Sequence, residues 1–216
     1  MKFIREEGLP YPQTWEFVIE NILDNKKNGV FIDVGAYDGN IVSNTLYIED
    51  CLYWTGICIE PNPEVFLKLK DNRNCNCLNF GVSDIELDMN FYKVNGYAEM
   101  LSGFTDYLSK EHKDRIESEV LKYNDSVEII KVKSKRLDNI LKENNIDYVD
   151  YLSIDTEGNE FRVLKSIDFK KCYIKVISSE NNDNSIEVRE LLTSNGFNFI
   201  KNVCGDDIYI NTNNRN

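Results

Sequence analysis

The acidic block near residue 155 is the part of this sequence best equipped for chemistry. Asp155, Glu157 and Glu160 lie within six residues of one another, beside Gly158. Carboxylates held this close repel each other, so we expect them to retain a proton, bind a cation or meet a donor-rich ligand. A helix N-terminus enriched in acids is the simpler interpretation. It suits Glu157 and Glu160 better than Asp155, which directly follows a predicted strand.

A second chemical feature is a glycine turn followed by a spaced carboxylate. Residues 30–34 form a short apolar run that suits a strand covered on both faces. Gly35 and Gly39 bracket a turn in which side chains would obstruct a ligand or strain the backbone. A helix predicted over residues 40–50 would begin at the ligand. Glu60 ends a second predicted strand, where its carboxylate can accept hydrogen bonds from both ribose hydroxyls. The alternative is a plain strand-turn-helix with a solvated glutamate.

The chemistry of the turn favours S-adenosylmethionine over a dinucleotide. A dinucleotide-binding turn carries Gly-x-Gly-x-x-Gly so that the backbone can approach a pyrophosphate. Here Ala36 and Tyr37 follow the first glycine, and Asp38 at the mouth would repel a pyrophosphate. Asp33 and Asp38 can instead face a sulfonium or ammonium cation, directly or through water. Two alternatives stay open: an NAD-dependent Rossmann oxidoreductase and a non-catalytic nucleoside-binding module.

A third strand is predicted over residues 76–82 and is followed by Ser83 and Asp84. In an adenine-binding sheet, polar residues after this strand often meet the edge of the base. Asp84 could therefore accept the exocyclic amine, although turn chemistry explains an Asp after a strand equally well.

The regular alternation of strands and helices breaks between residues 87 and 132. Two extra strands, at residues 88–92 and 127–132, bracket a polar segment at residues 95–124. We predict that this segment is an insertion that forms a substrate lid over the carboxyl edge of the sheet. A surface helix and loop without contact to the chemistry is the alternative. The candidate functional residues of this segment are Met100, Ser102, Gly103 and the only histidine, His112.

The remaining elements predict one α/β domain with a doubly wound, Rossmann-like sheet over residues 1–216. An N-terminal helical segment occupies residues 1–28, with an amphipathic helix over residues 11–27. A core strand at residues 173–178 leads to Glu180 and Asn181. The chain then continues with a helix at residues 186–194, a strand at 197–201 and an antiparallel last strand at 207–211.

Composition narrows the classes of partner. The formal net charge is −12, so the chain is a poor candidate for binding a nucleic acid backbone or an anionic membrane. Six cysteines without Cys-x-x-Cys spacing and a single histidine argue against a zinc site. No apolar run reaches eighteen residues, and the first residues lack a signal-peptide core. We therefore expect a cytoplasmic protein with a small-molecule or glycan ligand.

Six ordered motifs together resemble the FkbM family of methyltransferases over about residues 29–211. The Asp-x-Glu-Gly-x-Glu block at residues 155–160 is the most specific of them. The resemblance implies a class I methyltransferase fold and O-methylation of hydroxyls, often those of sugars or of polyketide-derived compounds. The motifs are FIDVGAYDG (31–39), IEPN (59–62), GVSD (81–84), RLD (136–138), LSIDTEGNE (152–160) and SEN (179–181).

Roles can be assigned on this basis. Methyl transfer to an oxygen needs positioning and removal of the hydroxyl proton, and Asp155 is the first candidate for that base or for orienting the acceptor. Glu157 and Glu180 follow as catalytic candidates, and His112 is a further one because its ordinary pKa suits base work. We expect no metal, although Asp155 with Glu157 or Glu180 could mimic the carboxylate magnesium sites of some sugar O-methyltransferases.

The candidate residues for the cofactor are Asp33, Gly35, Ala36, Tyr37, Asp38, Gly39, Glu60, Pro61, Ser83, Asp84 and Asp155. Those for the acceptor are Met100, Ser102, Gly103 and Asn181.

Overall fold

A computed structural model describes residues 13–182 and 185–213 of the chain. In these residues, strands and helices alternate through most of the chain. In chain order the elements are α1 (Thr14–Asn21), β1 (Val30–Val34), α2 (Leu46–Leu52), β2 (Thr55–Ile59), α3 (Pro63–Asn72), β3 (Asn76–Leu78), β4 (Gly81–Val82), β5 (Asp88–Asn95), a 3-10 turn (Glu99–Leu101), β6 (Gly103–Phe104), α4 (Lys110–Tyr123), β7 (Ser126–Lys135), α5 (Leu137–Glu143), β8 (Tyr148–Ile154), α6 (Glu160–Lys165), β9 (Tyr173–Glu180), α7 (Ile186–Ser194), β10 (Phe197–Val203) and β11 (Asp206–Asn211).

Seven strands form the central sheet in the order β10-β11-β9-β8-β1-β2-β3. Strands β3, β2, β1, β8 and β9 are parallel, and β11 is antiparallel to both of its neighbours. The predicted doubly wound sheet with an antiparallel last strand is therefore confirmed. Val34 is in register with both Ile59 and Ile154, so the ends of β1, β2 and β8 meet at one edge, where such sheets bind ligands.

The central strands β1, β8 and β9 are buried on both faces, which explains why they are largely apolar. Phe31 contributes to a cluster with side chains of α1, α2 and α3. Its neighbour Ile32 points into the other cluster, which side chains of α5, α6 and α7 complete. Alternate side chains of one strand thus serve two cores, and together these cores fix the edge that carries the acidic residues.

The insertion is a folded layer of its own. Strands β4, β7, β5 and β6 form a second sheet, in which β5 and β7 pair antiparallel from Asp88↔Lys133 to Asn95↔Ser126. The two extra strands predicted from the sequence are present and longer than expected. Helix α4 packs through Ile116 onto a small cluster that includes Val94 and Leu101. The polar segment at residues 95–124 therefore contains β6, a 3-10 turn and α4 instead of a plain loop.

The helix after the glycine turn begins six residues later than the predicted position 40. Asp38 explains this difference, because its Oδ1 accepts hydrogen bonds from the backbone N–H groups of Asn40 and Ile41 and closes a local turn. Val42 then has a φ of 52°, a left-handed conformation that a helix cannot continue through. The predicted start of this helix at residue 40 was therefore wrong.

Two smaller differences concern neighbouring segments. The third predicted strand divides into β3 and β4, which belong to different sheets. The N-terminal helix ends at Asn21 because Asp24, Asn25 and Asn28 have positive φ angles. The first two residues of that predicted helix lie outside the described range. Among the described residues, no helix is both long enough and apolar enough to cross a bilayer.

Candidate active site

The glycine turn after β1 lies where the ends of β1, β2 and β8 are in contact. The N–H groups of Gly35 and Ala36 both donate to the carbonyl oxygen of Ile59, and the N–H of Asp155 donates to Val34 O. Gly35 has a φ of +86°, and a Cβ at this position would lie 1.7 Å from the backbone oxygen of Asp155. Only glycine fits there, so the turn contacts the ends of β2 and β8, the two strands that flank β1.

Glu60 is buried and held by the backbone at both of its oxygens. Tyr37 N donates to Oε2 at 3.1 Å, and Asn62 N donates to Oε1 at 2.7 Å. Burial raises the pKa of Glu60 to about 8, and these two backbone hydrogen bonds oppose the shift. The carboxylate is thus fixed in orientation on the cavity wall, as the ribose role requires.

The two aspartates of the turn have different environments. Asp33 is buried on the wall of the cavity and accepts a hydrogen bond from the Thr45 hydroxyl at 2.6 Å. Burial raises its pKa, while the Arg73 charge and the Thr45 hydrogen bond oppose that rise. Asp38 instead holds the loop that follows it and does not line the cavity.

A cleft of about 930 Å³, counting its open mouth, lies at this edge of the sheet. Asp38, Gly39, Gly103, Ser83 and Asp84 do not line it. The predicted site residues that line it are Asp33, Gly35, Ala36, Tyr37, Glu60, Pro61, Met100, Ser102, Asp155 and Glu157.

Asp84 has ionic partners outside the cleft. Its Oδ2 lies 3.1 Å from both Arg162 Nη1 and Lys165 Nζ, and these hydrogen bonds and charges lower its pKa against the effect of burial. The buried Ser83 hydroxyl lies 3.4 Å from the Tyr107 hydroxyl. The structure therefore does not support the prediction that Asp84 meets the base, because its charge is engaged elsewhere.

The sequence interpretation missed one group of cavity residues. Phe91 of β5 and Phe104 of β6 both line the cleft, and their ring centroids are 5.7 Å apart in an edge-to-face pair. Glu99 lies nearby and accepts hydrogen bonds from the Tyr37 hydroxyl and from Lys68 Nζ, each at 2.6 Å. The alternation of buried and exposed residues in β5 was the only sequence signal for this contribution. The insertion therefore builds part of the first cavity as well as covering it.

Two buried amides beside the cleft are only half satisfied. Asn62 Oδ1 accepts from Glu64 N and Asn159 Nδ2 donates to Val82 O at 2.7 Å. Asn62 Nδ2 and Asn159 Oδ1 have no hydrogen-bond partner, and both residues line the cleft. Unpaired buried polar atoms are costly in a folded protein, so each of these two atoms lacks a partner that a ligand with the complementary group could supply.

Asp155, Glu157 and Glu180 form an acidic cluster at the ends of β8 and β9. One carboxylate oxygen from each lies within 4.8 Å of the others. Burial, and then the charge of Glu180, raise the pKa of Asp155 well above its usual range. The same two causes raise the pKa of Glu157 to about 8, and burial raises that of Glu180 to about 7. The cluster therefore retains protons near neutral pH.

Glu160 lies beside this cluster and its charge helps to raise the three pKa values, but its own carboxylate has local partners. Its Oε1 accepts hydrogen bonds from Thr156 N, the Thr156 hydroxyl and Gly158 N, at the start of α6. The helix-terminus interpretation is thus right for Glu160 alone. Oxygens spaced like those of Asp155, Glu157 and Glu180 can also hold one divalent cation.

A second, more polar cavity lies on the other side of the acidic cluster. It measures about 1220 Å³ with its mouth and is lined by residues of α4, α6 and α7, with Glu157, Glu180 and Asn181. Glu157 lines both cavities. The Asn181 amide is held by Asp207 and by the backbone of Ser185, so it acts as a fixed part of this wall.

His112 belongs to this second cavity and faces the acidic cluster. Its Nε2 lies 2.9 Å from the carbonyl oxygen of Leu101, and its Nδ1 lies 3.4 Å from Glu157 Oε2. A carbonyl only accepts hydrogen bonds, so Nε2 carries a hydrogen and the other ring nitrogen is directed at Glu157. Glu157 and His112 are therefore placed to exchange a proton.

Comparisons with known proteins find one family model and several solved structures that match this chain. The family model for the methyltransferase FkbM domain matches residues 33–199. Among solved structures, an FkbM methyltransferase from Methylobacillus flagellatus KT is similar with a TM-score of 0.48 and 12% identity, over 85% of this chain and 43% of that one. This chain thus spans less than half the length of that protein.

Two further solved structures are similar over most of this chain. A precorrin-6y C5,15-methyltransferase from Geobacter metallireducens GS-15 has a TM-score of 0.46 and 12% identity, over 96% of this chain and 91% of that one. The METTL16 methyltransferase domain has a TM-score of 0.47 and 15% identity, over 93% of this chain and 65% of that one. No curated protein matches the chain.

Proposed function

This chain belongs to the methyltransferase FkbM domain family, and from that premise we propose that it methylates a hydroxyl of a sugar, a glycan or a related small molecule. Its methyl donor is S-adenosylmethionine, and its fold is the class I methyltransferase fold. When bound, the donor supplies an electrophilic methyl group on a sulfonium centre. The residues of the protein must hold this donor, orient an acceptor oxygen and take up the hydroxyl proton.

The first cavity fits the donor. Glu60 offers a fixed carboxylate to ribose hydroxyls, and the unpaired Asn62 Nδ2 offers a hydrogen-bond donor beside it. Phe91 and Phe104 offer an apolar, aromatic surface for a base. Asp33 supplies a buried negative charge for the cationic end. The ribose, the base and the cationic groups of the donor thus each have a chemical counterpart on the wall.

The shared wall between the two cavities is the observation that carries the proposal. Asp155 lines the first cavity with the glycine turn, Glu180 lines the second, and Glu157 lines both. A donor in the first cavity and an acceptor in the second would therefore meet at the acidic cluster. Transfer between two bound molecules needs this kind of contact.

The cluster supports proton removal from the acceptor. A carboxylate with a pKa of about 7 or 8 is a far stronger base than an ordinary one and is still partly ionised near neutral pH. We assign Asp155 the role of base or of orienting the acceptor hydroxyl. Glu157 is the next candidate, and His112 is placed to receive or return its proton.

The walls of the second cavity favour a hydroxyl-rich acceptor. Tyr107 and Phe161 offer aromatic surface, and Ser109, Asn181 and Arg115 offer polar groups. These are the two kinds of group that bind sugar faces and sugar hydroxyls. Residues 95–124 supply side chains to both cavities, so we assign this segment the role of a lid that belongs to one catalytic domain. The net charge of −12 favours a small acceptor over a nucleic acid.

The test is methyl transfer itself. The protein is incubated with S-adenosylmethionine carrying a labelled methyl group and a panel of mono- and oligosaccharides, with an RNA oligonucleotide in parallel. Label on a sugar oxygen supports the proposal, and label on RNA alone contradicts it. Calorimetry with S-adenosylhomocysteine and with NAD separates the oxidoreductase alternative, for which NAD alone would bind.

A further inference from the structure

We propose that Asn159 Oδ1 accepts a hydrogen bond from the exocyclic amine of adenine and so makes the first cavity selective for adenine over hypoxanthine. This inference rests on the proposed function, because it assumes that an S-adenosyl compound occupies the cavity. Asn159 then determines specificity through its contact with the exocyclic amine. The sequence analysis expected Asp84 to make this contact.

The orientation of the Asn159 amide is fixed by its surroundings. Its Nδ2 lies 2.7 Å from the carbonyl oxygen of Val82, and a carbonyl can only accept a hydrogen bond. The amide nitrogen must therefore face Val82, and Oδ1 must face the other way. Asn159 is 2% exposed, and no protein atom within reach donates to Oδ1.

The place of Asn159 in the cavity matches the base end of the donor. Its partner Val82 lines the cavity together with Val65, Phe91 and Phe104. These apolar and aromatic side chains suit a flat purine, and the polar ribose end is marked by Glu60. A buried acceptor beside an apolar purine site lacks a donor, and the amine on the edge of adenine supplies one.

Hypoxanthine tests the same contact by reversing it. It carries an oxygen where adenine carries the amine, so two acceptors would face each other at Asn159 Oδ1. A site that forms a hydrogen bond to a polar group of its ligand strongly rejects an analogue without that group, because the hydrogen-bonding atom of the protein is then left unpaired. Asp84 is less suited to this role than Asn159, because Arg162 and Lys165 engage its Oδ2 and it does not line the cavity.

The experiment compares two ligands on the whole protein by calorimetry: S-adenosylhomocysteine and S-inosylhomocysteine. We expect wild type to bind the inosyl compound about 10- to 100-fold more weakly, at tenfold for each ~1.4 kcal/mol. Asn159→Ala should reduce this ratio to near one by losing affinity for the adenosyl compound. Asn159→Ser serves as a second variant with a smaller change in volume. Asp84→Asn is the matched control and should keep the wild-type ratio.

Each outcome has a definite meaning. An equal affinity of wild type for both ligands would overturn the inference without touching the proposed function, and needs no variant to fold. A ratio that collapses in Asp84→Asn and persists in Asn159→Ser would also overturn it, by returning the contact to Asp84. If wild type binds neither ligand, the proposed function fails together with the inference.

Discussion

The carboxylates of the glycine-turn region and those of the acidic cluster all have a pKa raised by burial, but they differ in their neighbours. In the turn region, Asp33 accepts a hydrogen bond from Thr45, and Glu60 accepts two from the backbone. In the cluster, Asp155 and Glu157 face Glu180, and the charge of Glu180 raises the pKa of both. The two regions are nevertheless joined directly where Gly35 meets the backbone of Asp155.

This difference distinguishes carboxylates suited to binding a ligand from carboxylates suited to proton transfer. A carboxylate whose oxygens already have donors is preorganised, and it can bind a ligand without rearrangement. Carboxylates that repel one another keep protons at neutral pH and exchange them readily. One edge of one sheet therefore carries one group of carboxylates held by hydrogen bonds and a second group whose members repel one another. Substitutions in the two groups should affect different measurable quantities.

The largest effect should come from Asp155→Asn. We expect turnover to fall about 10²- to 10⁴-fold, the usual contribution of a positioned acid or base, while the affinity for S-adenosylhomocysteine stays largely unchanged. Asp33→Asn is the counterpart in the turn region and should weaken cofactor binding. Steady-state kinetics with calorimetry measures both. Undiminished turnover of Asp155→Asn would remove its catalytic role and with it the contrast between the two groups.

The junction between the two groups can be broken at Gly35. Gly35→Ala should destabilise the protein by roughly 2–5 kcal/mol, because it combines a left-handed backbone angle with a collision against Asp155 O. Urea unfolding measures this cost. Gly205→Ala is the control, since Gly205 also has a positive φ but its Cβ would meet only Asn182 Oδ1, at 3.2 Å. Equal costs at the two positions would mean that the junction is looser than described.

Glu60→Gln should affect binding and spare the chemistry. The amide keeps one acceptor oxygen, but its NH₂ group opposes an N–H donor of Tyr37 or Asn62. We expect affinity for S-adenosylhomocysteine to fall about 10- to 100-fold, with turnover at saturating cofactor close to that of wild type. A loss of turnover with unchanged affinity would contradict this prediction, because it would show that Glu60 acts in the chemistry and not in cofactor binding.

The smallest effect should appear in the pH dependence of stability. The pKa values of Glu60 and Glu157 are raised to about 8 and that of Glu180 to about 7, so the stabilising contribution of these three groups is complete below about pH 4.5 and is lost as pH rises through 7 to 8. The ligand-free protein should melt roughly 3–6 °C lower at pH 9 than at pH 5 from this cause. Turnover should change in the opposite direction and rise with pH, because the base must be ionised.

Glu180→Gln sharpens this last comparison. Removing one charge lowers the pKa of the remaining two carboxylates, so the melting temperature should depend less on pH. The exposed Glu190→Gln is the control and should leave the pH profile of wild type unchanged. Scanning calorimetry at four pH values is sufficient. A profile of Glu180→Gln that matches wild type would contradict the coupling within the cluster.

The sequence predicted the features that depend on local pattern. Apolar runs with glycine at their ends predicted the parallel strands, and family motifs predicted the sheet. Asp38 and Asp84 show the limit of such reasoning. Their spacing placed them near the ligand, but Asp38 closes a turn with its own neighbours, and Asp84 pairs with cations 78 and 81 positions away. Partners so distant in the chain leave no local signal.

Other site residues were missed by the sequence analysis for the same reason. Phe91 and Phe104 reach the first cavity only because the second sheet folds back over it. Asn159 was noticed as part of a motif, yet its free oxygen follows from its bond to Val82, a residue on the far side of the insertion. Side-chain roles set by tertiary pairing required the structure.

The pairing of β4 with β7 makes the insertion an exchangeable module. Gly81 and Val82 lie in register with Ser134 and Lys135, so the chain leaves and returns one strand spacing apart, about 4.8 Å. Segments of different length can be grafted between such ends without moving the central sheet, which gives evolution or an engineer a route to new acceptors. Any graft must keep aromatic groups in the places of Phe91 and Phe104 and an acid in that of Glu99, because the first cavity depends on them.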